Sequence, residues 1–398
     1  MVMKKINKQR GAVSLFVVIF AALLITVVTV SFIRLMILNQ QQATANNLSQ
    51  SAYDSAQAGV EDGKRAILSF MEGCSKSDPN CSRETINTYE KTCNASVQAL
   101  SDVNTIPNND KEVPVQTGNV SLNQAYTCVK VQMLTEDVVG LLDKDVVSVI
   151  PLVGVTPFDT IKIEWFNGSD LKSSSNSTNI DYPSTTIDTP LLSESSWTGV
   201  DDPTKPNIPS IMRTQLIQFN KKAGEGFKLS DFDSENSVNA LNNTLFLYPS
   251  STVGLTTFID NTRLANSSLY APSKKNCSSN IASGSYACSA DLKLPNPVGT
   301  DYVAYLNLRS LYKSSHYRIT LSDSASLLPV KFDKVQPAID STGRADDLFR
   351  RVQARVSLTA GFPYPNGEIQ LKGNLCKDFI VTNLETDFTD INPGLCTP

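Results

Sequence analysis

The chain has one histidine, His316, in 398 residues. That scarcity removes most hydrolytic chemistry. A Ser-His-Asp set can be built only around His316, which sits at the start of a strand-like run beside Tyr317, where a surface or cross-strand role is expected. No G-x-x-x-x-G-K-[ST] loop occurs, and Gly63-Lys64 lacks the glycines that cradle a phosphate. The cysteines include no pair at the spacing of about two to four residues that zinc sites use. Asp231, Asp233 and Glu235 offer alternating oxygen ligands, and Asp387 with Asp390 lies in a turn-like stretch, but the glycine and closing glutamate of an EF-type calcium loop are missing. Carboxylates in polar loops, such as Asp201 with Asp202, are expected to be solvated. The chain therefore reads as non-enzymatic, with no catalytic residue, cofactor site or metal site.

Charge, proline and glycine are all absent from residues 12–33. About 22 apolar residues at 1.5 Å per residue make a helix of roughly 33 Å, close to the ~30 Å hydrocarbon thickness of a bilayer. The run follows a basic leader, residues 1–11, carrying Lys4, Lys5, Lys8 and Arg10. No small-residue cleavage site follows a short apolar core, which argues against an ordinary secretory signal. Four basic residues before the run against Arg34 after it place the N-terminus in the cytoplasm and everything beyond about residue 40 outside.

Proline and glycine stay absent until Gly59, so one helix is expected to continue to about Phe70. Leu48, Ala52, Ala56, Val60, Gly63 and Ile67 recur every three to four residues on one narrow face, while Gln50, Asp54, Glu61, Asp62, Lys64 and Arg65 occupy the others. Small residues on a stripe let something pack close, and the expected occupant is the protein's own external head.

A basic leader ending in Gly11, an apolar helix beginning at Ala12, and the amphipathic stretch SAYDSAQAGVEDGKRAIL over residues 51–68 resemble the N-terminal part of the type IV prepilin and pseudopilin family, in particular minor pilins of the PilX and GspK types. The resemblance covers about the first 70 residues well and the rest in outline. It implies cutting between Gly11 and Ala12 by a prepilin peptidase, a wait in the membrane, and packing with other pilin-like subunits by the pilus assembly machinery. Two positions depart from the family pattern. The fifth residue after the cleavage point, a glutamate in major pilins, is Phe16, so the carboxylate that would pair with a neighbour's new terminal amine is missing. Burying an uncompensated ammonium is costly, and the resemblance then implies a subunit that caps a filament at its tip. Ala12 stands where Phe or Met is usual, and an uncut N-terminal anchor is the alternative.

Eight cysteines, Cys74, Cys81, Cys93, Cys128, Cys277, Cys288, Cys376 and Cys396, all follow the apolar run, and their even number and placement suggest disulfides. Proximity favours Cys277 with Cys288 and Cys376 with Cys396; the first four can pair sequentially or in a crossed arrangement. A Cys376–Cys396 loop, which is similar to the C-terminal disulfide region of type IV pilins, would contribute roughly 3 kcal/mol by restricting the unfolded chain. The formal net charge of −4 falls to about −8 without the leader, which argues against direct nucleic-acid binding.

Strand signals, β-branched or aromatic runs bounded by Pro, Gly and Asp, fall at residues 125–133, 145–150, 160–166, 211–219, 244–248 and 379–382. Alternation is clearest at 302–308, 317–321 and 351–358, which read as half-buried strands with one wet face. Residues 82–100 could form a short helix, and 167–186 and 199–209 read as loops. The expected organisation is a leader (1–11), a transmembrane and amphipathic helix (12–72), the first part of a pilin-like head (73–166), a loop-rich β insertion or second subdomain (167–300) and a C-terminal β-rich part (301–398). The fold class is α+β, the long helix covering an antiparallel, disulfide-bonded head.

The expected function is that of a minor pilin-like structural subunit or tip initiator of a filament serving adhesion, motility, secretion or DNA uptake. The alternative is an uncut membrane-anchored surface-binding protein that uses the helix as a stalk. Tyr182, Trp197, Tyr270 and Tyr364 are candidates for a surface patch toward a protein or glycan ligand.

Overall fold

A single helix, α1 (Arg10–Ser75), occupies 66 residues; at 1.5 Å per residue it is about 99 Å long. The computed structural model describes residues 10–76, 81–100, 112–115, 123–171, 180, 207–221, 242–250, 259–260, 273–278, 281–282, 284–326 and 328–358. After α1 come α2 (Arg83–Lys91), α3 (Ala95–Gln98), β1 (Val113–Pro114), β2 (Ala125–Thr135), β3 (Asp137–Leu142), β4 (Val147–Leu152) and β5 (Phe158–Asn167). Next are β6 (Ile211–Asn220), β7 (Asn242–Ser250), β8 (Ile259–Asp260), β9 (Ser273–Asn276), β10 (Tyr286–Val298) and β11 (Tyr302–Leu311). The last four are β12 (Ser315–Ser322), β13 (Pro329–Val330), β14 (Phe332–Ala345) and β15 (Leu348–Arg355). The architecture is α+β. The described residues fall into two compact units, one up to Val131 with Ile339–Ala354 and the other Gln132–Ala338 with the residues from Arg355 onward.

In the first unit the sheet order is β1-β2-β14-β15, and β14 turns into β15 through Asp346 and Asp347. The second half of α1 lies on this sheet along the small-residue stripe: Ala52 and Ala56 are fully buried, and Val60, Ala66, Ile67 and Phe70 nearly so. Glycine decides how closely helix and strand approach. A methyl group on Gly343 of β14 would stand 2.8 Å from Ala56 Cα and nearer still to Ala56 N and Ala52 O, so backbone meets backbone there. From the helix side, methyls on Gly63 and Gly59 would stand 2.9 Å from Ile339 Cγ2 and from Val129 Cγ2. A polar tie joins the same surfaces: Tyr126 OH donates to Asp62 Oδ2 at 2.7 Å. Burial, reinforced by that carboxylate, holds the phenol proton far above its ordinary value.

α1 continues past the expected end near Phe70 to Ser75, and the Phe70 ring meets the Tyr89 ring edge-on with centroids 5.7 Å apart. Residues 82–100 form two helices instead of one. Asn94 interrupts them in the left-handed region (φ 61°), with its N–H donating to Val129 O at 2.8 Å and its Oδ1 accepting from Val129 N at 2.7 Å. Of the arrangements open to the first four cysteines, the structure has the sequential one, Cys74–Cys81 and Cys93–Cys128. The second of these closes 35 residues; by loop entropy such a closure contributes roughly 4 kcal/mol.

The second unit is built from two runs of strands, β3-β12-β5-β10 and β4-β11-β6-β7-β9, which pair directly at Val298 with Tyr302 and, just past β9, through the bridge of Cys277 with Cys288. Inward residues of both runs share a core: Ile161, Ile163, Trp165 and Ile319 from the first, and Met212, Leu216, Leu306 and Leu308 from the second. Trp165 Nε1 donates to Ser210 O at 3.0 Å, which satisfies the one polar atom of its buried ring. Cys277–Cys288 fastens the end of β9 to β10. The expected strand at 379–382 and the Cys376 and Cys396 pair lie outside the described residues.

Candidate functional site

The first half of α1 is a long apolar surface that the described fold leaves bare. Every residue from Leu15 to Asn47 is exposed. None of the most apolar stretch of α1 is buried. Monomeric soluble proteins rarely show contiguous apolar patches beyond a few hundred Å². From Leu15 to Ile33 the surface is apolar around the whole circumference, so an apolar medium or several apolar neighbours must cover it.

The local chemistry suits such surroundings. Thr26 Oγ1 donates to Leu23 O at 2.8 Å, Thr29 Oγ1 to Ile25 O at 2.9 Å and Ser31 Oγ to Val27 O at 2.8 Å. Each hydroxyl is spent on its own helix, so none needs water. One helix of this chain is therefore long and apolar enough to cross a membrane. Arg34 is the first charge after the run, and Leu35, Met36, Ile37 and Leu38 extend the exposed apolar surface beyond it.

Gly11 and Ala12 lie within the first turn of α1. Phe16, one turn later, is 74% exposed. Cys74, Cys81, Cys93, Cys128, Cys277 and Cys288 are all in disulfides. Asp231, Asp233, Glu235, Asp387 and Asp390 lie outside the described residues, as do Tyr182, Trp197, Tyr270 and Tyr364.

His316 is held by Asp170 at two points. Its Nδ1 is 2.7 Å from Asp170 Oδ1, and its backbone N–H donates to Asp170 Oδ2 at 3.0 Å. The same Oδ2 accepts from Asn167 N at 2.9 Å, closing a capping box on the short 3-10 turn Gly168–Asp170. No group of three or more His, Cys, Asp or Glu side chains is placed to hold a metal among the described residues.

On the outer face of the second unit, Arg318 Nε donates to Glu164 Oε2 at 2.7 Å and Lys162 Nζ lies 3.4 Å from Glu164 Oε1. Burial opposes the charge on Glu164, but the Arg318 bond and Lys162 outweigh it and leave the carboxyl below its ordinary value. Asp291, in register with Lys162, goes the other way: burial raises it. Lys162 and Glu164 share one face of β5, but the Arg318–Glu164 and Asp291–Lys162 pairs could not be read from the sequence, because each joins strands far apart in the chain. A cavity of about 280 Å³ in the same unit is lined mainly by valines, with Tyr317, Ser148 and Gln336 its main polar members. The Gln336 amide accepts from Val139 N at 2.9 Å and donates to Val139 O at 2.7 Å, filling the place of a neighbouring strand. Among the described residues the cavity lining holds no carboxylate, amine, imidazole or thiol.

Comparison of the chain with protein-family models, with curated proteins and with solved structures gives no match.

Proposed function

We propose that the protein is a minor pilin- or pseudopilin-like subunit: a membrane-held chain whose bare helix is drawn into a bundle of similar helices, with the β-rich part as an external head. The observation that carries this reading is the division of α1, apolar and exposed from Leu15 to Leu38 and then locked by Gly59, Gly63 and Gly343 to its own sheet. A helix so divided has one half free to exchange lipid for other helices and the other half committed to the head. The absence of an acid at Phe16 favours a capping position over repeated addition, since the next subunit's terminal amine would find no carboxylate there. Prepilin peptidase, the membrane, pilin-like subunits and the assembly machinery are the partners this reading names. No catalytic step and no cofactor belongs to it.

The test is cysteine crosslinking in native cells with Phe16→Cys and, separately, Val27→Cys. The chain has no cysteine before Cys74, so each variant reports on one depth of the helix. Crosslinks to smaller pilin-like chains, recovered with sheared surface filaments, are the expected result. A chain that stays in the membrane fraction and crosslinks to nothing but itself would instead be an anchored surface-binding protein.

A further inference from the structure

Between its lipid-like half and its head, α1 passes through nine residues, NQQQATANN (39–47), of a different kind. All nine are exposed, and none is charged. From Gln50 to Lys76 the helix is braced by side-chain pairs: Gln50 with Asp54, Gln57 with Tyr53, Lys64 with Glu61, Arg65 with Asp62 and Lys76 with Glu72. Among the described residues, 39–47 show one side-chain bond, Thr44 Oγ1 to Gln40 O at 2.9 Å, and such back-bonding bends helices more than it secures them. Asn39, Asn46, Asn47 and Thr44 are also weak helix formers. A helix that is polar all round, without ion pairs and without packing, has little to hold it. Immediately beyond, Ser49 Oγ accepts from Arg350 Nε at 2.8 Å, and burial begins at Leu48 and is full from Ser51.

We propose that residues 39–47 form a soft joint, a length of helix that opens locally while its flanks stay helical, so that the head tilts on its anchor. Local opening is easiest where buried contacts are fewest, and here they fall to none. Helical cooperativity opposes the opening, which keeps the joint helical most of the time. The inference rests on the exposure and composition of this stretch and holds whether or not the leader is cut.

Hydrogen exchange read by mass spectrometry on the full chain in phosphatidylcholine nanodiscs tests it. Amides of 39–47 should exchange at least about tenfold faster than those of 52–70. Replacing Asn39, Asn46 and Asn47 together by alanine should slow 39–47 and leave 52–70 unchanged. Equal protection of the two stretches in the wild-type chain, or an alanine variant with unaltered rates at 39–47, would overturn the joint.

Discussion

From Leu15 to Leu38 α1 is apolar and exposed, whereas from Ser51 to Phe70 a stripe of Ala52, Ala56, Gly59, Val60, Gly63, Ala66 and Ile67 is buried on a sheet. The backbone is the same in both halves. What differs is where the side chains put their apolar surface: all round in the first half, and along one narrow line in the second. A line of small residues can be covered by one partner, and the chain supplies it in β14 and β2. A full apolar circumference cannot be covered by a single sheet, so its cover must come from lipid or from several other helices. The contrast teaches that exposed apolar surface of this extent is a working surface, left open because the partner is not part of the fold.

The sharpest way to break the contrast is at the closest approach. Gly343→Val drives a branched side chain into the backbone of Ala52 and Ala56, and the head should fail to fold, seen as loss of a cooperative thermal transition in detergent. Ile67→Ala on the buried stripe should cost about 3 kcal/mol in the same experiment, by lost burial and the cavity left behind. Tyr126→Phe removes the tie to Asp62 and should cost about 1 kcal/mol at neutral pH. Its stronger signature lies in alkali. The Tyr126 phenol is raised in the folded protein, so its contribution is complete below the ordinary phenol value near pH 10 and is lost as pH rises beyond it, while only the unfolded chain ionises. Tyr126→Phe should therefore flatten part of the alkaline fall in melting temperature. The smallest effect is expected in the bare half: Leu24→Ala should shift head stability by less than about 0.5 kcal/mol, because Leu24 touches no part of the head. A large loss at Leu24, or none at Ile67, would erase the distinction between the halves.

Much of this was legible in the sequence, for reasons that can be located. The helix announced itself by 47 consecutive residues free of proline and glycine, 12–58, and by a stripe at helical spacing. β12 showed because its buried Tyr317, Ile319 and Leu321 alternate with polar neighbours. β14 was hidden for the reason that makes it important. Its inward residues include Ser341 and Gly343, which read as turn formers, yet they are small because the backbone of α1 rests on them. β10 was hidden by Pro295 and Pro297 near its end, although Ala287, Cys288, Ala290 and Leu292 face the core. Within the candidate site, the apolar run is a local property and reads directly. The Asp170 cradle of His316 and the Arg318 bond to Glu164 span well over a hundred residues of chain, and no local pattern reports them.

The most direct test of the pilin-like reading is the N-terminal residue of the mature protein, taken by mass spectrometry of the most N-terminal peptide from native membranes, with Gly11→Leu as control. A mature start at Ala12, abolished in the Gly11→Leu chain, is the predicted result. An intact start at Met1 or Val2 would contradict it and leave α1 a permanent anchor.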